Sequence, residues 1–300
     1  MKYLPVDVGG TEIKYAVMDE ELNVYDRGYV PTPMDTFDHF AQEIEKMYDR
    51  SRGEVEGIEM SLPGIIDVKK GLVIGGGALL YNHGTYVGKL LEERLGCRVV
   101  LENDGKAAAL AEYHKGALQG TQNSSVFIIG TGVGGGLIIN GQIVRGRDFS
   151  AGEYSFLSTN ADRMDDFSTY VGSTCSTRGL LGRYSTFSGS DGQIDGREFF
   201  RRLPDDEAAQ KALDDFALAV AKQVYNLYWL LDLEKIAIGG GISRQPILTE
   251  KIREKFAEVC ATSAMGKYMD HASIEIVTCQ FQNDANLIGA MMNFISETGE

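Results

Sequence analysis

The sequence predicts an α/β protein made of two related domains. Two observations carry that expectation. Apolar, β-branched runs of strand length alternate with longer runs of helical periodicity. One arrangement also occurs twice, at residues 4–18 and 125–141: an apolar run, a short glycine–threonine turn, then a second apolar run. Each reads as a strand-turn-strand hairpin whose turn exposes backbone N–H groups.

The remaining elements follow in order. Residues 37–48 read as a helix and 57–60 as a strand. Residues 87–95 read as a helix, 98–101 as a strand, and the alanine-rich stretch 104–115 as a helix packed through small residues. A long helix is expected over 208–231, a strand over 235–238 closed by Gly239-Gly240-Gly241, and a helix over 247–260. A strand at 273–278 and a helix at 286–296 end the chain. The domain boundary falls near Gly116-Ala117. No repeat of 20–50 residues is visible.

Composition narrows the function. The 300 residues include 36 glycines, well above the roughly 7% of average usage, which implies many tight turns or backbone held close to a ligand. Net charge is −14 and the isoelectric point about 4.8. An acidic surface argues against nucleic acid or anionic membrane as a partner. It leaves room for a nucleotide, because local N–H groups and Mg2+ bind phosphate whatever the net charge. Cys97, Cys175, Cys260 and Cys279 are isolated, which fits reduced core thiols and a cytoplasmic protein. No run is apolar and long enough for a secretion signal or a membrane span.

Four segments carry the chemistry. In Asp7-Val8-Gly9-Gly10-Thr11 the glycines let backbone approach a ligand, Thr11 adds a hydroxyl, and Asp7 suits a hydrated Mg2+. A tight hairpin with a capping aspartate would read the same way. Gly130-Thr131-Gly132-Val133-Gly134-Gly135-Gly136 repeats the pattern more densely, and flanking β-branched runs favour a phosphate cradle over a loose loop. Gly239-Gly240-Gly241 ends a strand, where a base or phosphate can lie against the backbone, although a plain strand-to-helix turn looks similar. Neither a G-x-G-x-x-G dinucleotide fingerprint nor a P-loop is present. In Glu102-Asn103-Asp104 a strand meets a helix. Asp104 can cap that helix, or, rigidly placed, accept a proton from a sugar hydroxyl; Asn103 offers a donor and an acceptor suited to paired hydroxyls.

Taken together, these segments resemble the ROK family, within the superfamily of sugar kinases, Hsp70 and actin. The stretch from Asp7 to Lys14 resembles its first phosphate motif, and Glu102-Asn103-Asp104 its catalytic segment. The run from Gly130 through Gly141, Gly146 and Ala151-Gly152-Glu153 resembles its central signature, and Gly239-Gly240-Gly241 its adenosine motif. The match spans nearly the whole chain in the family's order. The resemblance implies a two-domain actin-like ATPase (ribonuclease H-like) fold with the active site in an interdomain cleft. The domains would be 1–116, completed by a C-terminal helix at 286–300, and 117–285. It implies Asp104 as catalytic base and Pro63, Gly64, Asn82, Asn103, Asp104 and Glu153 as sugar contacts. Asp7, Gly9, Gly10, Thr11, Lys14, Gly130, Thr131, Gly132, Gly134, Gly239, Gly240 and Gly241 would line the nucleotide, with Mg2+ at Asp7.

Two departures bear on the substrate. Phe156 stands where many family members carry a sugar-contacting histidine, and residues 158–182 hold only Cys175 where those members have a C-x-C-G-x-x-G-C zinc motif. Zinc is therefore not expected, and the pattern is similar to the β-glucoside kinase branch. The implied activity is ATP-dependent phosphorylation of a hexose or β-glucoside, at O6. N-acetylmannosamine kinase and fructokinase stand as alternatives, and a catalytically silent sugar-binding regulator as an alternative of another class. A transcriptional regulator is disfavoured by the early position of Asp7 and by the acidic charge. An actin- or Hsp70-like ATPase is disfavoured by length. A homodimer is compatible with all of these. Trp229, on the long helix, is expected in the core.

Overall fold

The fold is that of a computed structural model, which describes residues 1–75, 77–189, 193–268 and 274–298. The chain divides into two compact units. The first comprises Met1–His114, Ile143–Ala151 and the stretch from Asp284; the second comprises Lys115–Gln142 and Gly152–Asn283. Ile143–Ala151 thus packs with the first unit, although it lies inside the expected 117–285 span.

In the first unit, the opening hairpin is β1 (Lys2–Val8) and β2 (Glu12–Asp19), followed by β3 (Val24–Pro31) and helix α1 (Phe37–Asp49). Then come β4 (Gly57–Leu62), the small hairpin β5 (Ile65–Asp67) and β6 (Leu72–Gly75), helix α2 (Val87–Leu95), β7 (Arg98–Asn103) and α3 (Asp104–Lys115). The sheet order is β3-β2-β1-β4-β7, with β1 antiparallel to β2 and parallel to β4, and β4 parallel to β7. Alternation along the strands sends Leu4, Val6, Val8, Ile58, Met60, Leu62, Val99 and Leu101 to one face, against Phe40, Ile44 and Met47 of α1 and Val87, Leu91 and Leu95 of α2. The opposite face is covered by the C-terminal helix, Ala285–Thr298, which lies on β1, β4 and β7. Gly289 of that helix meets the backbone of Ala107 so closely that a Cβ would strike its carbonyl. This is the small-residue packing that the alanine-rich segment foreshadows.

The second unit repeats the plan. Strands β8 (Ser124–Ile129), β9 (Val133–Ile139), β10 (Gln142–Ile143), β11 (Lys235–Gly239) and β12 (Glu275–Thr278) form a sheet in the order β10-β9-β8-β11-β12. Again the first strand pairs antiparallel with the second and parallel with the fourth. Its helices are α4 (Val171–Thr174), α5 (Thr177–Ser188), α6 (Gly196–Arg202), α7 (Glu207–Leu231) and α8 (Pro246–Thr262).

The sequence locates helices 87–95 and 104–115 at both ends, and the 208–231 helix within a residue. It misses β3, whose half-exposed edge residues make no apolar run, and α4 to α6, which are rich in Ser, Thr and Gly. The expected strand start at Ser273, and residues 299–300 of the expected last helix, lie outside the described residues. Trp229 corrects the core expectation: it is 47% exposed, near the C-terminal end of α7. Among the four cysteines, Cys175 and Cys279 are buried, while Cys97 and Cys260 are half-buried. Among the described residues no helix is long and apolar enough to cross a membrane.

Candidate active site

Parallel pairing aligns the carboxyl ends of three strands in the first unit. Asp7 of β1 sits beside Ser61 of β4, Ser61 beside Glu102 of β7, and Leu62 beside Asn103. Such an edge is where open α/β sheets bind ligands.

Asp7 is nearly buried and accepts a hydrogen bond from Asn286 Nδ2 at 2.9 Å. Burial pushes its carboxyl up to about 6; the Asn286 bond and the charge of Lys14, its partner across β2, oppose that rise, and the nearby Asp104 carboxylate adds to it. Asp104 opens α3 and is partly exposed. Its Oδ1 accepts the Gly105 N–H at 2.8 Å and Asn103 Nδ2 at 3.0 Å. Burial raises its carboxyl above the ordinary aspartate range, against these two donors and the Lys106 charge.

Asn103 is the capping residue of α3, a task the sequence offers to Asp104 as one of two alternatives. Its Oδ1 accepts the Lys106 N–H at 3.1 Å, while Nδ2 donates also to the Gly64 carbonyl at 2.8 Å. Gly64 has φ +109°, and a Cβ there would collide with the Gly75 carbonyl, so the loop after β4 requires glycine. Pro63 of that loop lies against Gly77, which follows β6. Asn82 is 1% exposed, and its Oδ1 has no hydrogen-bond partner. Such orphaned acceptors are rare and mark a position where a ligand hydroxyl or a water belongs.

In the second unit the turn between β8 and β9 closes with the Gly130 N–H on Gly132 O at 3.0 Å. The N–H of Thr177 donates to Gly130 O at 2.9 Å, which brings the start of α5 to this turn. Gly240, with φ +94°, lies against the Ile129 backbone, where any Cβ would overlap the carbonyl. Gly196 at the start of α6 touches Ile242. The glycines therefore fall into two kinds. Gly135 and Gly240 are glycines because protein occupies the space of a side chain: the Tyr154 ring and Gly152 carbonyl in the first case, the Ile129 backbone in the second. A Cβ on Gly130 would meet nothing nearer than 3.8 Å, and one on Gly241 nothing within 4 Å, so the space beside these two is open for a ligand.

Glu153 precedes a single 3-10 turn, Tyr154–Phe156, which Tyr154 anchors. The Tyr154 ring stacks on Phe127 at 5.5 Å and its hydroxyl bonds Ser125 Oγ at 2.6 Å. Ser155 Oγ accepts the Val133 N–H at 2.8 Å and donates to Val133 O at 2.9 Å. Phe156 is 59% exposed.

The first unit thus gathers Asp7, Lys14, Gly64, Asn103 and Asp104, with Gly9, Gly10 and Thr11 in the β1–β2 turn. The second gathers Gly130, Thr131 and Gly132 in its own turn, with Gly239, Gly240 and Gly241 beside it. Gly134 lies on β9, and Glu153 is carried by the loop packed on that strand. Sequence reasoning missed Asn286, which grips Asp7 from a helix 279 positions later, and Thr177. No local pattern marks either residue; long-range pairing does.

The profile described as the ROK family matches residues 3–297. A β-glucoside kinase from Klebsiella pneumoniae is 30% identical over 297 residues, covering 98% of this chain and 96% of its own. A ROK family protein from Streptococcus pneumoniae, solved in complex with sucrose, is 27% identical with TM-score 0.87 over 99% of both chains. A ROK family glucokinase from Streptomyces griseus, solved with glucose and AMPPNP, is 26% identical with TM-score 0.80 over 97% of this chain and 98% of that one.

Proposed function

The chain belongs to the ROK family, and from that premise we propose that it is an ATP-dependent sugar kinase whose acceptor is the O6 hydroxyl of a hexose or β-glucoside. Similarity to a β-glucoside kinase over nearly the full length supports the substrate class. The observation that carries the chemistry is the Asp104 carboxyl: held by two donors at a strand-helix junction, its pKa raised by burial toward the value of an effective general base.

In this reading Asp104 accepts the proton of the sugar hydroxyl as its oxygen attacks the γ-phosphorus. The bond from that phosphorus to the bridging oxygen breaks, ADP leaves, and the proton stays on Asp104 until solvent removes it. Asn82 Oδ1, Gly64 and Glu153 are proposed to hold sugar hydroxyls. Gly9 and Gly10 of the β1–β2 turn, with Lys14, are proposed phosphate contacts, as is Gly130 of the β8–β9 turn, whose side is open. Asp7, with the Asp104 carboxylate close by, fits Mg2+ held through water, and the ion would neutralise charge on the β- and γ-phosphates.

The test is an ATP-coupled assay over glucose, cellobiose and other β-glucosides, fructose and N-acetylmannosamine. The wild type should turn over a glucose-configured acceptor, and Asp104→Asn should fold and bind nucleotide while kcat falls about 10²–10⁴-fold. Near-normal turnover by Asp104→Asn would remove Asp104 from the role of base.

A further inference from the structure

Arg145 lies in Ile143–Ala151, the segment that packs with the first unit while its flanking residues belong to the second. The ends of this loop are tied together, since the Ala151 N–H donates to Arg145 O at 3.2 Å. The Arg145 guanidinium donates from Nε to Glu102 Oε2 at 2.8 Å and from Nη2 to Asn293 Oδ1 at 2.7 Å. Glu102 is 1% exposed and Arg145 21%, so this ion pair is buried on its carboxylate side. Its other oxygen, Oε1, accepts the Asn103 N–H at 2.8 Å. Asn103 in turn holds Gly64 O and Asp104 Oδ1 with the same amide nitrogen. One unbroken run of hydrogen bonds therefore leads from Arg145 to Asp104.

We propose that Arg145 is a positioning residue for phosphoryl transfer: through Glu102 it fixes the peptide of Asn103, and through Asn103 the direction of the Asp104 carboxylate. The inference rests on Asp104 being the base. A charge-assisted bond from a buried carboxylate holds a peptide more firmly than a neutral one. Burial raises the Glu102 carboxyl, and the Arg145 and Lys106 charges oppose that rise. Without Arg145 that balance tips toward the neutral acid, and Asn103 loses its anionic anchor. Misplacement of a reacting group by about 1 Å costs on the order of 10²-fold in rate.

The experiment compares Arg145→Met, Arg145→Lys and Asn293→Leu in the full chain. Arg145→Met should lower kcat about 10- to 100-fold while the KM for ATP stays as in wild type. Its acid limb of kcat should move to higher pH, because Glu102 now protonates more readily. Arg145→Lys should restore most of the loss. Asn293→Leu, which removes its bonds to Arg145 and to Leu101 O but leaves Arg145 paired with Glu102 and near Glu297, should lower thermal stability and leave both kcat and the pH profile nearly unchanged. A lower melting temperature in Arg145→Met with wild-type kcat and pH profile would reduce the residue to a structural staple and overturn the proposal. If Arg145→Met does not fold, Glu102→Gln decides: it keeps an acceptor for the Asn103 N–H but removes the charge, and undiminished kcat would likewise overturn it. The failures separate cleanly, since absence of turnover by the wild type refutes the kinase reading, whereas equality of variant and wild type refutes only the role of Arg145.

Discussion

Glu59 sits on β4 between Ile58 and Met60, which face α1 and α2, so its side chain points to the other face, the one covered by the C-terminal helix. It is fully buried, and neither carboxyl oxygen has a hydrogen-bond partner. Burial raises its carboxyl well above the ordinary glutamate range, with no cation to oppose it. The folded state therefore holds a proton that the unfolded state releases. Stability is full below the unfolded pKa, near 4.5, and is lost as pH rises toward the folded value, by up to about 1.4 kcal/mol per unit. Glu59→Gln, which keeps shape without a titrating proton, should match wild type at pH 5 and exceed it at pH 8 in urea titrations. The same difference at both pH values would show that Glu59 is not the titrating group. Glu102, equally buried one strand away, differs in having Arg145 paired with it, which opposes the same rise.

At the scale of the element, β9 and the loop after it act as one piece. Gly135 lies under the Tyr154 ring, which also carries the stack on Phe127 and the bond to Ser125. Gly135→Ala would push Tyr154 out and shift the 3-10 turn that follows Glu153. It should cost about 1–3 kcal/mol and raise the sugar KM. Gly182→Ala, where a Cβ on α5 meets nothing within 4 Å, should be neutral or stabilising. Equal melting temperatures for the two variants would argue against the packing account. The pair also marks how far the sequence could be read. Periodicity located the long helices, and apolar runs on either side of glycine turns located the β1–β2 and β8–β9 hairpins, because those signals are local. The dense glycines from Gly130 to Gly136 read as a single cradle, yet Gly135 answers to an aromatic ring from a later loop. Letters alone cannot separate a glycine that makes room for protein from one that makes room for a ligand. For the same reason Asn103 emerged as a cap and clamp only when Gly64 and Lys106 were seen around it.

For the whole molecule, each unit has one sheet, and both sheets share an order: an edge strand, a strand antiparallel to the first, the first strand, then two parallel strands. That shared order explains why two hairpins about 120 residues apart look alike in the sequence. Cys175, the lone cysteine of residues 158–182, lies in the core of the second unit, and burial pushes its thiol up to about 11, which keeps it protonated and a poor ligand. Among the described residues no three His, Cys, Asp or Glu side chains converge on a possible metal site. Elemental analysis of protein purified without added metal should find zinc well below one per chain; one zinc per chain would contradict this.

The C-terminal helix covers one face of the first unit's sheet and supplies Asn286 to Asp7 and Asn293 to Arg145. During synthesis, then, Asp7 and its strand emerge 279 positions ahead of Asn286, and their second face stays uncovered until that helix follows. The middle of the chain, which holds all five strands of the second sheet, has no such wait. The second sheet can therefore be completed before the first, and a nascent chain carries Glu59 and its neighbours bare until that helix arrives.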